Sequence, residues 1–330
     1  MNVTINHPRQ ARYHLPVGLS LLFRPVPKAR TRPRLNVEHQ MGGGKVLRFS
    51  AREALGVPEQ TLLLVILELA GEQLADVGHS VVLGEADGRP LPNRLWAGLY
   101  PEGGVGLQAT VMVDTTWDEL NRRCGSGNGG SAIRTRKECM RRLCEVVVWE
   151  ELNQRRASHQ SFLVVWLVGD DQRIHLALNY RLASVFFGAQ FAKVSLQERM
   201  RLCGDLPMLI HAFFSTCIRP GHKLKIGSAT LAQRVWRIDE PVARADTLRR
   251  RQRDLARAMA AVGRLPKWKV EFEKDRDLWT IYRSDGPGIR EMPSGLNRKQ
   301  ATALPAQPEL EKSCNDNGLS RYDVSGLFNR

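Results

Sequence analysis

The chain has 330 residues, a formal net charge of +15 and a pI near 10.0. That length allows two domains with separate cores, and the excess of positive charge favours a polyanionic partner such as nucleic acid. No apolar run approaches the roughly 18 residues that span a bilayer, so we expect a cytoplasmic protein with no membrane partner. The six cysteines have no C-x-x-C spacing and are expected to be reduced thiols.

The N-terminal segment is basic and rich in proline. Its first 35 residues carry seven Lys or Arg and no Asp or Glu, which predicts a basic arm over residues 1–35 that is extended at least in part. The apolar stretch 15–23 is broken by Pro16 and Gly18, so it is expected to pack against the protein and not to direct export. Glycines 42–44 predict a hairpin turn before a short strand at 46–49.

A strongly apolar helix is predicted next. Pro58 suits the first position of a helix that continues through residues 62–70 and ends near Gly71. Because this helix is apolar almost all round, we place it at the centre of the core. Residues 72–110 contain many Gly and Pro and only short apolar runs, and there we predict loop and edge strand.

The pattern from 116 to 168 indicates a first DNA-binding module. Thr116 and Glu119 form a capping box at the start of a short helix, and a glycine-rich turn at 125–130 leads to a basic helix at 131–143. One side of that helix is apolar, and the other presents Arg134, Arg141 and Arg142. Strands near 145–150 and 161–168 follow, with Arg155 and Arg156 at the tip between them as candidates for DNA contacts.

The same order of elements recurs from 205 to 283. Helices are predicted at 205–218 and 228–236, then a longer helix at 246–264, then strands at 268–272 and 278–282 around a charged tip. The long helix has an apolar ribbon of Leu248, Leu255, Met259 and Val262. Its opposite face carries four arginines that fit a major groove, namely Arg249, Arg250, Arg253 and Arg257. The strand tip adds two cations for contacts with the backbone or minor groove, Lys274 and Arg276.

These elements predict an α+β protein made of two tandem winged-helix domains. The expected boundaries are 1–35 for the basic arm, 36–195 for the first domain, 196–285 for the second and 286–330 for a flexible tail of polar composition.

The chain resembles the IncQ-type plasmid replication protein C family. Matching segments lie in collinear order within residues 13–283, at 49–50, 54–56, 132–143, 178–196, 231–236 and 249–253, the last being the arginine-rich run. The resemblance implies two winged-helix domains that bind direct repeats at a plasmid origin, open the adjacent A+T-rich DNA and help a plasmid-encoded helicase to load, with a primase as a further partner. The chain departs from the family after residue 284, and agreement is weak at 72–110.

Other chemistries are less consistent with the sequence. Gly125, Gly127 and Gly130 match G-x-G-x-x-G, but a helix precedes them where a dinucleotide site needs a strand. The eight histidines show no H-x-H pair of the kind that nicking initiators use. The tryptophans at 149, 166, 236, 268 and 279 are expected in the core and not as stacking surfaces. We therefore expect no enzymatic activity, cofactor or metal.

The sequence leaves alternatives open. A winged-helix transcriptional repressor would bind duplex DNA in the same way without a helicase partner, and a DNA-nicking enzyme or a primase is a further reading. The oligomeric state stays open between a monomer on DNA and a dimer.

Overall fold

The N-terminal segment belongs to the folded core. A computed structural model describes residues 9–26, 31–84, 88–100, 109–127, 129–152, 155–156, 161–169, 173–236 and 245–286. Strand β1 (Gln10–His14) and helix α1 (Leu15–Leu19) bury Ala11, Tyr13 and Val17. The prediction of an extended arm is therefore wrong for residues 9–26, because apolar side chains alternate with the arginines and anchor the segment. Packing of the stretch 15–23 is confirmed, and residues 1–8 and 27–30 lie outside the described residues.

The predicted hairpin turn is confirmed. Strand β2 (Leu35–Met41) pairs antiparallel with β3 (Lys45–Ala51), and the turn between them has Gly43 at φ 75° and Gly44 at φ 72°. Only glycine adopts such left-handed angles without steric cost, which explains the glycine run.

Helix α2 (Val57–Val77) is central, as predicted. Thirteen of its residues are buried, and Glu59 closes its first turn by accepting a hydrogen bond of 2.8 Å from the Gly56 amide. The helix continues six residues beyond the predicted end at Gly71. A Cβ at Gly71 would lie 3.3 Å from the Phe186 ring, so this glycine permits close packing and does not end the helix.

A second sheet forms in the region predicted as loop and edge strand. Strand β4 (Val82–Leu83) is confirmed, but helix α3 (Pro90–Leu99) was not predicted. Two prolines in the first turn of α3 and Gly98 near its end resemble loop composition, yet Leu95, Trp96 and Leu99 pack as one apolar face. Strand β5 (Thr110–Thr115) pairs with β4.

Two helices joined by a glycine-containing turn follow, as predicted. Helix α4 (Trp117–Arg123) is capped by Thr116, whose hydroxyl accepts from the Glu119 amide at 3.2 Å. Helix α5 (Gly130–Cys144) packs against α4 and α2. A helix, and not a strand, precedes the G-x-G-x-x-G motif, as expected.

The strands after α5 do not form one ribbon. They are β6 (Val147–Leu152), β7 (Arg155–Arg156), β8 (Ser161–Phe162), β9 (Val164–Val168) and β10 (Ile174–Leu178). Strand β6 pairs with β3, β7 and β8, whereas β9 is the edge of the sheet ordered β4-β5-β10-β9. The predicted pairing of 145–150 with 161–168 therefore holds only for β8. It is wrong for β9, because β9 pairs with β10 in the other sheet.

The next segment pairs with the N-terminal strand β1. Helix α6 (Tyr180–Ala183) is followed by β11 (Phe191–Ser195) and helix α7 (Leu196–Met200). Strand β11 pairs antiparallel with β1 along its whole length. Single 3₁₀ turns lie at Gly78–Val81, Ser184–Phe186 and Lys274–Arg276.

The second module has the predicted order of elements. It consists of helix α8 (Asp205–Cys217), strand β12 (Lys223–Gly227), helices α9 (Ser228–Trp236) and α10 (Ala245–Gly263), and strands β13 (Trp268–Glu273) and β14 (Leu278–Arg283). The strands form an antiparallel sheet in the order β12-β14-β13. Strand β12, which the sequence analysis missed, completes the sheet.

A buried arginine joins the two halves of the chain. Arg199 of α7 is fully buried and donates to Thr61 Oγ1 and Gln60 Oε1 of α2, at 2.9 and 3.0 Å, and to the Met208 carbonyl of α8 at 2.8 Å. Burial lowers the pKa of Arg199 to about 10, so the guanidinium stays charged at neutral pH.

A second polar contact joins β13 to the same junction. Glu198 Oε2 accepts from Trp268 Nε1 at 2.9 Å and lies 3.0 Å from His211 Nε2. Burial opposes the charge of Glu198, but these hydrogen bonds hold its pKa below the usual value. The apolar core is divided at this point, one cluster containing residues up to Leu196 together with Leu209, and the other beginning at Leu202. The predicted domain boundary at 195/196 stays a prediction.

No helix in the described part of the chain is long and apolar enough to cross a membrane. Residues 287–330 of the predicted tail lie outside the described residues.

We expect Arg199→Ala to lower the free energy of unfolding by about 3 kcal/mol or more, because buried Thr61 and Gln60 and the partly buried Met208 carbonyl lose a charged donor. Urea unfolding followed by circular dichroism measures the loss. Arg201→Ala is the matched control, since Arg201 is exposed two residues away and should change stability by no more than about 0.5 kcal/mol. Equal effects of the two substitutions would contradict the role of Arg199.

Candidate nucleic-acid interface

Helix α10 has one buried and one cationic face. Leu255, Met259 and Val262 are buried in the second core cluster, as the apolar ribbon predicted. Leu248 is instead 48% exposed, so the ribbon does not extend to the first turn of the helix. The opposite face exposes four of the predicted site residues, Arg249, Arg250, Arg253 and Arg257.

Few carboxylates balance this face. Arg257, which is 80% exposed, lies 3.9 Å from Asp254 of the same helix. An exposed pair at that distance contributes less than about 1 kcal/mol and is readily exchanged for a phosphate. Within the described ranges, Arg249, Arg250 and Arg253 have no carboxylate partner. The face therefore presents three uncompensated guanidinium groups and a fourth that is weakly paired.

Arg251 has a different position in the same helix. Its guanidinium lies 5.5 Å from the centroid of the Trp236 ring, in a cation–π contact that joins α10 to the end of α9. This contact helps to set the angle between the two helices. The run of arginines at 249–253 thus divides into residues that face solvent and one that packs.

The tip between β13 and β14 carries the two predicted cations. Lys274 and Arg276 are exposed in the 3₁₀ turn that Asp277 ends at φ 47°. Arg276 is 74% exposed and lies 3.7 Å from Glu273. Both side chains are therefore accessible at the end of the ribbon that follows α10.

The basic face of α5 is only partly free, which corrects the sequence analysis. Arg134 is exposed, but Arg141 and Arg142 are held by carboxylates of three elements. Arg141 donates to Glu53 at 2.9 Å and also pairs with Glu138 and Glu145, and Arg142 donates to Glu53 at 2.7 Å. Arg142 further contacts Glu59 Oε1 of α2 at 3.1 Å. Four carboxylates thus compensate the two arginines, and a phosphate would have to compete with them for either guanidinium.

The electrostatics of this network agree with a structural role. Burial alone would lower the pKa of Arg142, but the hydrogen bond to Glu53 and the charge of Glu59 raise it above its usual value. The hydrogen bond from Arg142 lowers the pKa of Glu53 correspondingly. The network holds the end of α5 against the start of α2. Glu138 lies four residues before Arg142 on the same helix, whereas Glu53 and Glu59 are distant along the chain and could not be assigned from spacing.

Arg136 is a further residue that sequence reasoning missed. It is 5% exposed, and it donates to Ser126 Oγ at 3.0 Å across the turn between α4 and α5. Its position three residues after Ile133, on the side of α5 that faces the core, could have indicated from the sequence that Arg136 is buried. Arg155 and Arg156 form β7, and their side chains lie outside the described residues.

No group of three metal-binding side chains occurs among the residues that the structure describes. Cysteines 124, 139, 144, 203 and 217 are free, and Cys314 lies outside the described residues. The surface of α10 presents a row of exposed guanidinium groups, and the tip between β13 and β14 adds two cations.

We expect Arg142→Ala to destabilise the protein by about 1 to 3 kcal/mol, because fully buried Glu59 loses one of its charged partners. Arg134→Ala should change stability by no more than about 0.5 kcal/mol, since Arg134 is exposed on the same helix. Chemical denaturation of both variants measures the difference. If Arg142→Ala is as stable as Arg134→Ala, the network has no structural role.

The chain is similar to domains 2 and 3 of RctB in two crystal structures. A selenomethionine derivative has 10% sequence identity and a TM-score of 0.47, with 80% of this chain and 95% of that chain covered. The other has 12% identity and a TM-score of 0.46, with 82% and 97% covered. No curated protein sequence matches the chain. The family model of replication protein C matches residues 3–285, and the chain therefore belongs to the replication protein C family.

Proposed function

We propose that the protein is a plasmid replication initiator of the IncQ type that binds direct repeats, or iterons, in the duplex of the origin. Membership of the replication protein C family supports a role in replication. The observation that carries the proposal is the exposed arginine face of α10, with Arg249, Arg250 and Arg253 uncompensated by carboxylates in the described part of the chain.

In this proposal, the second module acts as a winged helix. Helix α10 enters the major groove, which is about 12 Å wide and admits one α-helix. Arg250, Arg253 and Arg257 lie at i, i+3 and i+7, so their guanidinium groups follow one side of the helix and reach base edges or phosphates. Lys274 and Arg276 then contact the backbone or the minor groove beside it. The buried ribbon of α10 holds the helix in place during binding.

We further propose that the bound protein opens adjacent A+T-rich DNA and helps a plasmid-encoded helicase to load, with a primase acting later. The protein does this without an enzymatic step or a cofactor of its own, in the cytoplasm. A transcriptional repressor with the same module would bind the duplex and leave it closed, so opening of the origin separates the two functions.

We expect Arg250→Ala, Arg253→Ala and Arg257→Ala, combined in one variant, to abolish specific binding to the origin repeat. The three side chains are exposed, so the stability should stay within about 0.5 kcal/mol per substitution. Fluorescence anisotropy with a labelled duplex repeat measures affinity at several salt concentrations. Each lost phosphate contact should also reduce the slope of log affinity against log salt by about 0.9.

The matched control removes the same charge elsewhere. Arg94, Arg122 and Arg201 are exposed outside the second module's sheet and reader helix, and their combined replacement by Ala should leave specific binding nearly intact. If both triple variants weaken binding equally, only net charge matters and α10 does not read the repeat.

We expect the purified protein to make thymines in the A+T-rich segment of a supercoiled origin plasmid reactive to permanganate. It should do so without nicking the plasmid in the presence of Mg²⁺ and without hydrolysing ATP. Permanganate footprinting, gel analysis of the plasmid and phosphate release measure the three outcomes. Protection of the repeats without reactive thymines would favour the repressor, and nicking by independently purified preparations would indicate an enzyme.

A further inference from the structure

A groove lies on the first module between α5 and the edge strand β9. It has a volume of about 520 Å³, and Ile133, Arg134 and Lys137 of α5 line one side while Trp166 of β9 lines the other. Trp166 is half-buried, although the sequence predicted a core residue. Among the strands that the structure describes, β9 lies at the edge of its sheet, and Val168 at its end is 49% exposed.

The aromatic wall of the groove is held in a defined orientation. The Trp166 ring packs edge-on against Trp117, with the centroids 5.3 Å apart and an interplanar angle of 81°. Lys137 Nζ lies 5.5 Å from the centroid of the Trp117 ring. A tryptophan so restrained presents its free surface at little conformational cost when a ligand stacks on it.

The opposite wall is positively charged. Arg134 and Lys137 are exposed, and neither forms an ion pair within the part of the chain that the structure describes. Glu138 and Arg141 also line the groove, but they pair with each other at 2.6 Å and so add little net charge. Two cations therefore stand opposite one aromatic ring, with apolar Ile133 beside them.

We propose that this groove binds single-stranded DNA. Proteins that bind single strands without sequence preference combine a basic groove for the phosphates with aromatic side chains on which bases stack. Here Arg134 and Lys137 would contact phosphates and Trp166 would take a base. A duplex fits less well, because a reading helix enters the major groove with a free face, whereas this face of α5 forms a groove with Trp166 of β9. The inference rests on the proposed function, since opening an origin exposes single strands.

The test measures two DNA ligands with the full-length protein. A labelled oligonucleotide of about 20 thymidines reports single-strand binding, and the labelled duplex repeat reports binding through α10. Trp166→Leu keeps an apolar side chain but removes the aromatic face, and should weaken oligonucleotide binding about 5- to 150-fold, the range for loss of one stacked base. Trp166→Phe should retain most of the affinity.

A charge variant makes the test independent of packing at Trp166. Arg134→Gln with Lys137→Gln should weaken oligonucleotide binding at least about 5-fold and leave duplex binding within about 2-fold. Arg122→Gln with Arg201→Gln removes two exposed arginines that do not line the groove, and should leave both affinities nearly unchanged. Melting curves by circular dichroism verify that each variant is folded.

The outcomes separate this inference from the proposed function. If the groove variants bind the oligonucleotide as the unmodified protein does, the groove is not a single-strand site. If they lose duplex and oligonucleotide binding equally, α5 reads the duplex and the inference is overturned. If the unmodified protein binds the oligonucleotide through the groove but does not bind the repeat, the inference stands and the proposed function fails.

Discussion

The buried guanidinium of Arg199 is the interaction on which the arrangement of the two modules depends. It satisfies acceptors on α2, the central helix of the first module, and on α8, the first helix of the second. Burying a charged guanidinium costs free energy unless its donors are hydrogen-bonded. Because its acceptors lie on α2 and α8, few other arrangements of α2, α7 and α8 would satisfy it. The pairing of β1 with β11 adds backbone hydrogen bonds at the same junction. The surfaces of α5 and α10 are consequently carried on one connected framework.

Charge compensation, and not the number of arginines, distinguishes the two basic helices. On α5, Arg141 and Arg142 meet carboxylates from the loop after β3, from α2 and from their own helix. On α10, the one carboxylate that pairs with an exposed arginine within the described residues is Asp254, 3.9 Å from Arg257. A phosphate can displace water from an uncompensated guanidinium, but it has to compete with a carboxylate for a paired one. The division of labour that we propose, duplex on α10 and single strand beside α5, follows from this difference.

Most of the second module could be predicted from the sequence, because α10 and the hairpin of β13 and β14 depend on near neighbours. Strand β12 was missed, since it pairs with β14 about fifty to sixty residues later. Helix α10 follows a regular apolar period, and β13 and β14 alternate around a short turn, so each element carries its own signal. The first module could be predicted less well. Its strand β6 pairs with β3, about a hundred residues earlier, and α3 begins in a proline-rich segment that resembles a loop.

The basic charge, the central apolar helix, the three helices and the final hairpin of the second module, and the arginine face of α10 could be predicted from the sequence, because they depend on composition or on neighbours within a few residues. The folded chain was needed to show that residues 9–26 complete the core, that Arg142 faces Glu53 and Glu59, and that Trp166 lines a groove. The reason is physical: whether a charge or an aromatic ring is free or occupied depends on side chains that folding brings from distant parts of the chain.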